Sequence, residues 1–250
     1  MQKIDISTDA GACPTYMFRP EGQGAGPWPA VIFYLDGPGI RPALFDMARR
    51  LAQSGYLVIL PDLFYRAGPY APVDPKIVWT NSELRDAHRD KYMSTATPRN
   101  AMADTAVLLD YLADAPEARS GSIGVVGYCM GGRLALIAAG TYPDRIAVAA
   151  SYHGGGLASE QPSSPHLLAH KMKAKVYVAG AIEDSSFPDG MKARLQAALT
   201  EAGVDHLIET YPARHGWVPA DMPAHDAAEA EHHWRTLIPL LDDVLKAEAI

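Results

Sequence analysis

The chain has 250 residues, 48% of them hydrophobic, and a formal net charge of −7 at pH 7. This length and composition allow one large core, so we expect residues 1–250 to form a single domain. The negative charge argues against nucleic acid or an anionic membrane as a partner. With no visible signal peptide and no membrane-length apolar run, we expect a cytoplasmic location.

Apolar runs alternate with amphipathic stretches through most of the chain. This alternation predicts an α/β fold, with a mostly parallel central sheet and helices on both faces. The predicted strands are Lys3–Ser7, Thr15–Arg19, Ala30–Leu35, Tyr56–Leu60, Ile123–Val126, Ile146–Ala150, Lys175–Ala179 and His206–Tyr211. Thr97-Pro98 predicts a helix start, whereas residues 68–95 have no clear periodicity.

A glycine-rich turn joins the strand at Ile123 to the helix that begins after Cys129. Its sequence, Gly127-Tyr128-Cys129-Met130-Gly131, has the Gly-x-nucleophile-x-Gly pattern of the α/β-hydrolase elbow, with cysteine in place of serine. Such a turn exposes the nucleophile at the top of the sheet and points a helix N-terminus at the reacting atoms. The alternative is an ordinary strand–helix turn with a buried, inert cysteine. The other cysteine, Cys13, is expected to be a free thiol, like Cys129.

The carboxyl ends of the parallel strands define where a ligand site is expected. The residues that follow strands there are Asp36, Asp62, Cys129, His153, Asp184 and His215. His215 is the best-placed base for the thiol, and Asp184 can orient its imidazole. The chain order nucleophile, acid, base is that of α/β-hydrolases. The alternatives are a helix cap or turn for Asp184 and a surface loop position for His215.

An oxyanion hole is expected beside the nucleophile. The N–H of Met130 and the N–H of Gly37, which follows the strand at Ala30–Leu35, are its predicted donors. Two interpretations of Asp36 stay open. Its carboxylate lies near Cys129 and competes with His215 for the thiol proton, or it caps the helix that begins near Arg41.

Three segments together resemble the dienelactone hydrolase (carboxymethylenebutenolidase) family. They are Gly127-Tyr128-Cys129-Met130-Gly131-Gly132, Pro61-Asp62-Leu63-Phe64-Tyr65-Arg66 and His215-Gly216-Trp217. The resemblance implies an α/β-hydrolase fold, no cofactor and a Cys-His-Asp triad that acts on small lactones or esters. It also implies that Asp36 matches a family glutamate that pairs with the nucleophile.

The resemblance further implies arginines that bind a substrate carboxylate. Arg85 or Arg89 matches one of the two family arginines, while Val218-Pro219-Ala220 stands where the second is expected. The alternative is that Arg85 and Arg89 form weak surface pairs with the acidic residues beside them.

Tyr152 leaves a strand on the same side and is predicted to line the substrate pocket, with a plain glycine loop as the alternative. His166 and His170 have helical spacing but no acidic third ligand, so no metal site is expected. We therefore predict a hydrolase that opens a small lactone or ester through a thioacyl intermediate on Cys129. The alternatives are a thioesterase or acyl transferase on the same triad, and a non-catalytic ligand-binding protein on a hydrolase scaffold.

Overall fold

A computed structural model describes residues 1–247 and contains one eight-stranded sheet. The strands are β1 (Gln2–Thr8), β2 (Gly11–Phe18), β3 (Ala30–Tyr34), β4 (Leu57–Pro61), β5 (Ile123–Tyr128), β6 (Ile146–Tyr152), β7 (Lys175–Ala181) and β8 (His206–Tyr211). Their order across the sheet is β1-β2-β4-β3-β5-β6-β7-β8. β1 and β2 pair antiparallel, and β3 to β8 run parallel. All eight predicted strands and the mostly parallel sheet are thus confirmed.

Helices cover both faces of this sheet. They are α1 (Pro42–Gln53), α2 (Pro75–Val78), α3 (Ser82–Lys91), α4 (Pro98–Asp114), α5 (Met130–Thr141), α6 (Asp189–Glu201) and α7 (Ala227–Leu245). α1 and α7 lie together on one face, where Arg50 of α1 pairs with Glu231 and stacks on Trp234. α4, α5 and α6 cover the other face. Within residues 1–247, no helix is long and apolar enough to cross a membrane.

The predicted start of α4 is present. Thr97 is the N-cap, its hydroxyl accepts the backbone N–H of Asn100 at 3.2 Å, and Pro98 occupies the first helical position. This pairing satisfies one of the free N–H groups of the helix end, and proline there gives up no helical hydrogen bond.

Residues 68–96 follow β4 and precede α4, and they form what we call the covering segment. It contains α2, α3 and a single helical turn at Met93–Thr95. The segment packs through an aromatic cluster made by Phe64, Tyr70, His88 and Tyr92. This cluster holds the covering segment against the loops at the carboxyl ends of β3 and β4.

Both cysteines are free thiols, as predicted. Cys13 lies in β2 and is 1% exposed, and burial raises the pKa of its thiol to about 12. A thiol of that pKa is almost entirely protonated at neutral pH and is a poor nucleophile. Cys129 is only partly buried and stands at the tip of the turn between β5 and α5.

Candidate active site

Cys129 is the single residue between the end of β5 and the first residue of α5, and its backbone has φ 55° and ψ −119°. A positive φ is strained for a residue with a side chain, so the surrounding backbone must impose it. Gly127 and Gly131 allow the strand β5 and the helix α5 to approach each other closely at this turn. A Cβ at Gly127 would overlap the Gly131 carbonyl, and a Cβ at Gly131 would overlap the Leu35 carbonyl. The turn therefore has the backbone of a nucleophile elbow.

The backbone N–H of Cys129 has two hydrogen-bond acceptors, one at the end of β6 and one in the residue that follows it. It donates to the Tyr152 carbonyl at 3.0 Å and to Nδ1 of His153 at 3.0 Å. His153 is fully buried with φ 42°, and burial, followed by the neighbouring His215 and His233, keeps its pKa well below the usual range. Because Nδ1 accepts this bond, the neutral ring carries its proton on Nε2.

His215 and Asp184 form a hydrogen-bonded pair beside Cys129. Nδ1 of His215 lies 2.8 Å from Oδ2 of Asp184. The other carboxylate oxygen, Oδ1, accepts the backbone N–H of Ser186 at 2.8 Å and its hydroxyl at 2.6 Å. These bonds fix the carboxylate so that one oxygen faces the imidazole.

Each member of this pair titrates outside its ordinary range. For Asp184, burial opposes ionisation, but the bond and charge of His215 and the bonds from Ser186 lower the pKa to about 2. For His215, burial opposes protonation, but the charge on the Cys129 sulfur, the hydrogen bond with Asp184 and the Asp184 charge raise the pKa to about 10. The structure thus places Cys129 close to His215, which is hydrogen-bonded to Asp184.

The two predicted oxyanion donors lie beside the elbow. Met130 is the first residue of α5, where a backbone N–H has no acceptor within its helix. Gly37 follows β3, and its carbonyl accepts Nε2–H of His88 at 2.9 Å. Trp79 and Met93 of the covering segment pack on the same glycine so closely that a Cβ there would lie 2.7 Å from the Trp79 ring. The covering segment therefore fixes the position of the Gly37 loop.

Asp36 forms an ion pair with a buried arginine, Arg41. Its two carboxylate oxygens accept hydrogen bonds from Arg41 at 2.5 and 2.9 Å, and both side chains are nearly unexposed. Arg41 also binds Asp221 through Nε at 2.7 Å and donates to the Gly39 carbonyl at 3.1 Å. Arg41 itself is the N-cap of α1, and that end has no side-chain cap. The interpretation of Asp36 as a helix cap is therefore wrong.

Arg85 and Arg89 lie on the exposed side of α3. Arg89 pairs with Asp86 at 3.1 Å and with Asp90 at 3.6 Å, and Arg85 lies 3.8 Å from Asp86. Their side chains are 43% and 54% exposed, as the surface-pair alternative predicts. Only Arg89 borders a cavity that reaches the elbow, which it shares with Met130.

Tyr152 does not line a pocket, contrary to the prediction. It is fully buried and packs against Tyr128, Tyr177 and His233 of α7. Side chains alternate between the two faces of a strand, and Tyr152, the last residue of β6, points toward the α7 face. The residue at this strand end that contacts the elbow is the next one, His153, through the Cys129 N–H.

Three residues that support the site escaped the sequence analysis. Ser186 follows Asp184 by two residues, and the Asp-x-Ser spacing of a side-chain turn could have indicated it. Arg41 and His88 act through contacts with distant parts of the chain, to Asp221 and Gly37. No local sequence pattern predicts contacts between residues so far apart in the chain.

A groove of about 840 Å³ lies between α1 and α7, lined by residues that include Arg41, Val218 and Trp234. None of the three residues of the predicted triad, Cys129, Asp184 and His215, lines this groove.

Comparison with known proteins identifies relatives over nearly the whole chain. The model of the dienelactone hydrolase family matches residues 13–245. A candidate carboxymethylenebutenolidase from Synechocystis is 24% identical over 97% of this chain and 99% of its own length. One from Yersinia pestis is 29% identical over 93% of this chain and 84% of its own length.

Solved structures show the same fold. The crystal structure of a candidate dienelactone hydrolase from Klebsiella pneumoniae superposes with a TM-score of 0.82 at 23% identity, over 96% of this chain and 97% of its own. A dienelactone-hydrolase-like promiscuous phosphotriesterase from metagenomic libraries gives a TM-score of 0.73 at 22% identity, with 97% of each chain covered. The predicted α/β-hydrolase fold is thereby confirmed.

Proposed function

This chain belongs to the dienelactone hydrolase family, and on that basis we propose that it hydrolyses a small carboxylic ester or lactone through a thioacyl intermediate on Cys129. His215 serves as the base and acid, and Asp184 holds its orientation. Met130 and Gly37 supply the N–H groups of the oxyanion hole. The observation that carries the proposal is the 2.8 Å bond between His215 Nδ1 and Asp184 Oδ2, on an imidazole that also contacts Cys129.

The first half of the reaction transfers the acyl group to sulfur. The Cys129 thiolate attacks the carbonyl carbon, and the carbonyl oxygen becomes an oxyanion that accepts hydrogen bonds from Met130 and Gly37. Collapse of this intermediate breaks the carbon–oxygen bond to the leaving group. The His215 imidazolium gives its proton to the departing alkoxide, which in a lactone stays attached to the acyl chain.

The second half restores the thiol. Neutral His215 takes a proton from water, and the hydroxide attacks the thioester carbonyl. The carbon–sulfur bond breaks, the carboxylic acid leaves, and Cys129 returns as a thiolate beside protonated His215. Asp184 keeps the same imidazole tautomer through both halves, because Oδ2 accepts Nδ1–H in each.

The resting thiol is paired with His215 and not with Asp36 in this account. Both oxygens of Asp36 bind Arg41, whose positive charge offsets the carboxylate. Cys129 is therefore paired with His215 in the free enzyme, and the charge of Asp36 is held by Arg41. This differs from the role that the family resemblance implies for Asp36.

Pre-steady-state kinetics with p-nitrophenyl acetate test the proposal. We expect a burst of p-nitrophenolate equal to one per active site, followed by slower turnover, because acylation precedes hydrolysis. The Cys13→Ala variant, which removes the buried thiol, should keep the burst. A ligand-binding protein on a hydrolase scaffold would release no p-nitrophenolate above the uncatalysed rate.

A panel of matched lactones, oxygen esters and thioesters then separates the enzyme alternatives. Hydrolysis of lactones and esters with water as the acceptor supports the proposal. Faster turnover of thioesters, or transfer of the acyl group to an added alcohol or amine in place of water, would indicate the thioesterase or the acyl transferase.

A further inference from the structure

A cavity of about 290 Å³ lies between α5 and the end of the covering segment. Apolar side chains form much of its wall, namely Met130 and Leu134 of α5 and, facing them, Met93, Ala96 and Pro98. Leu134 and Ala96 are buried. The apolar part of a ligand would leave water on entering this cavity, and that transfer favours binding.

Two arginines also border the cavity, and the charged end of each is bound outside it. Arg133 donates through Nη2 to the carbonyl and hydroxyl oxygens of Ser163 at 3.3 and 3.0 Å. Arg89 is paired with Asp86 at 3.1 Å. Neither Ser163 nor Asp86 lines the cavity, so the methylene stems of the two arginines extend its apolar wall. Nε of Arg133 is buried and makes no hydrogen bond within residues 1–247, so a chain with a terminal carboxylate is the competing occupant for the experiment to exclude.

The cavity adjoins the proposed oxyanion hole. Met130 follows Cys129 directly, and its backbone N–H is one of the two proposed oxyanion donors. Met93 packs against Gly37, which carries the other donor, with its methyl carbon 3.3 Å from the position that a Cβ would take there. The side chains of both methionines therefore line a cavity next to the place where the scissile carbonyl would bind.

The cavity is built from elements other than the loop that carries His215. Within residues 1–247 its lining comes from α5, the covering segment and the start of α4, and from none of the loops after β6, β7 and β8. The leaving group has to reach His215 to receive a proton, so it lies toward the loop after β8. The acyl chain leaves the carbonyl carbon in another direction, toward α5 and the cavity.

We propose that this cavity binds the acyl chain of the substrate, and that the chain is neutral, saturated and roughly four to eight carbons long. The proposal rests on the hydrolase function proposed above. A water molecule takes roughly 30 Å³ of liquid volume and a methylene group is of similar size, so the cavity has room for a short chain but not for a fatty acid. The two methionines in its wall are flexible and adapt to chains of different shape.

A series of p-nitrophenyl esters tests the subsite: the acetate, butanoate, hexanoate, octanoate and dodecanoate. In the wild-type protein, kcat/KM should rise roughly three- to fourfold for each added methylene up to an optimum between butanoate and octanoate, because each methylene leaves water. It should fall at the dodecanoate, which is longer than the cavity. Mono-p-nitrophenyl glutarate has the carbon number of the pentanoate and a terminal carboxylate. It should react at least roughly tenfold more slowly than the pentanoate, because its charge would lose water in an apolar cavity.

Two variants should move the optimum in opposite directions. Ala96→Leu fills part of the cavity and should shift the optimum to a shorter chain, with the rate for the acetate unchanged, whereas Leu134→Ala enlarges the cavity and should shift the optimum to a longer chain. Ala103→Leu makes the same change as Ala96→Leu at an exposed position of α4 and should keep the wild-type profile. Circular dichroism checks that each variant is folded.

Three results would overturn the subsite. They are a wild-type profile that does not rise beyond the acetate, a glutarate that reacts faster than the pentanoate, and an optimum that stays in place in folded Ala96→Leu or Leu134→Ala protein.

Alkylation of Cys129 by bromomethyl alkyl ketones separates this test from the hydrolase function. The thiolate displaces bromide, so one carbon–sulfur bond forms, one carbon–bromine bond breaks and no ester is cleaved. Relative to the reaction of each reagent with glutathione, the rate should increase with alkyl chain length in the wild type and less in Ala96→Leu. Such an increase in a protein that hydrolyses no ester would refute the hydrolase and keep the subsite. Equal relative rates in an active hydrolase would refute the subsite and keep the hydrolase.

Discussion

The loops that follow β5, β7 and β8 and the covering segment at residues 68–96 meet at one site, but they are held in different ways. Cys129, Asp184 and His215 each stand within a few residues of the end of a parallel strand, so the sheet itself fixes their separation. The covering segment has no strand and reaches the site through side-chain contacts, chiefly from His88, Trp79 and Met93 to Gly37. The positions of the proposed reacting groups thus depend on the fold, and the pocket around them depends on a few side-chain contacts.

Substitution in the strand-end loops should have the largest effect on activity. Cys129→Ala removes the nucleophile and should lower kcat/KM for p-nitrophenyl acetate by roughly 10⁴-fold or more, as for other residues of a catalytic triad. Cys13→Ala should leave kcat/KM within about twofold, since that thiol is buried in β2. Steady-state assays of the two purified variants check the contrast, and comparable losses in both would contradict it.

The pKa of His215 should depend on Cys129. It is raised to about 10 in the folded protein, and the sulfur charge is the largest raising influence, so Cys129→Ala should bring it down toward 6.5. A folded pKa above the unfolded one stabilises the protein below about pH 6.5 and loses that contribution as the pH rises toward 10. Nitrogen NMR of the imidazole across this range measures the shift. The same pKa in both proteins would show that sulfur and imidazole are not coupled.

Substitution of His153, which contacts the elbow backbone, should have the next largest effect on activity. His153→Leu removes the acceptor for the Cys129 N–H and should lower kcat roughly ten- to one-hundred-fold, because misplacing a nucleophile slows attack. Asparagine places an oxygen near the Nδ1 position and tolerates positive φ. His153→Asn should therefore recover most of kcat, whereas equal losses in both variants would mean that the side chain only fills space.

Contacts from the covering segment should have a smaller effect. His88→Ala removes the bond to the Gly37 carbonyl and should lower kcat about tenfold, since one oxyanion donor then loses its support. His88→Gln keeps an N–H donor and should retain more of kcat than His88→Ala. Kinetics with p-nitrophenyl acetate compare the two. An increase in KM with unchanged kcat would place His88 in substrate binding alone.

Substitution of Arg85, on the exposed face of α3, should have the smallest effect on activity. Arg85 is exposed, has Asp86 at 3.8 Å as its one ion-pair partner among residues 1–247, and does not line the cavity beside Met130. Exposed pairs of this kind contribute about 0–1 kcal/mol. Arg85→Ala should change kcat/KM for a lactone that carries a carboxylate by less than about twofold. A larger selective loss would restore Arg85 as a substrate-binding residue.

The same contrast explains what the sequence could predict. Buried parallel strands are continuous apolar runs, so β5 and β7 were predicted with their observed first residues and with ends two residues short of those observed. Cys129, Asp184 and His215 followed as strand-end residues. α2 has only four residues and α3 is mostly polar, and such helices leave no apolar period to detect. The position of Asp36 was decided by Arg41 and by Asp221, which lies 180 residues further along the chain from Arg41.

The central claim is that Cys129 carries the acyl group. The most direct measurement is mass spectrometry of protein quenched in acid during turnover of p-nitrophenyl acetate, using His215→Asn to slow the hydrolysis of the intermediate. We predict one added acetyl group, located by peptide mapping on Cys129 and absent from Cys13. An acetyl group on another residue, or an unmodified Cys129 in a protein that still releases p-nitrophenolate in a burst, would contradict the account.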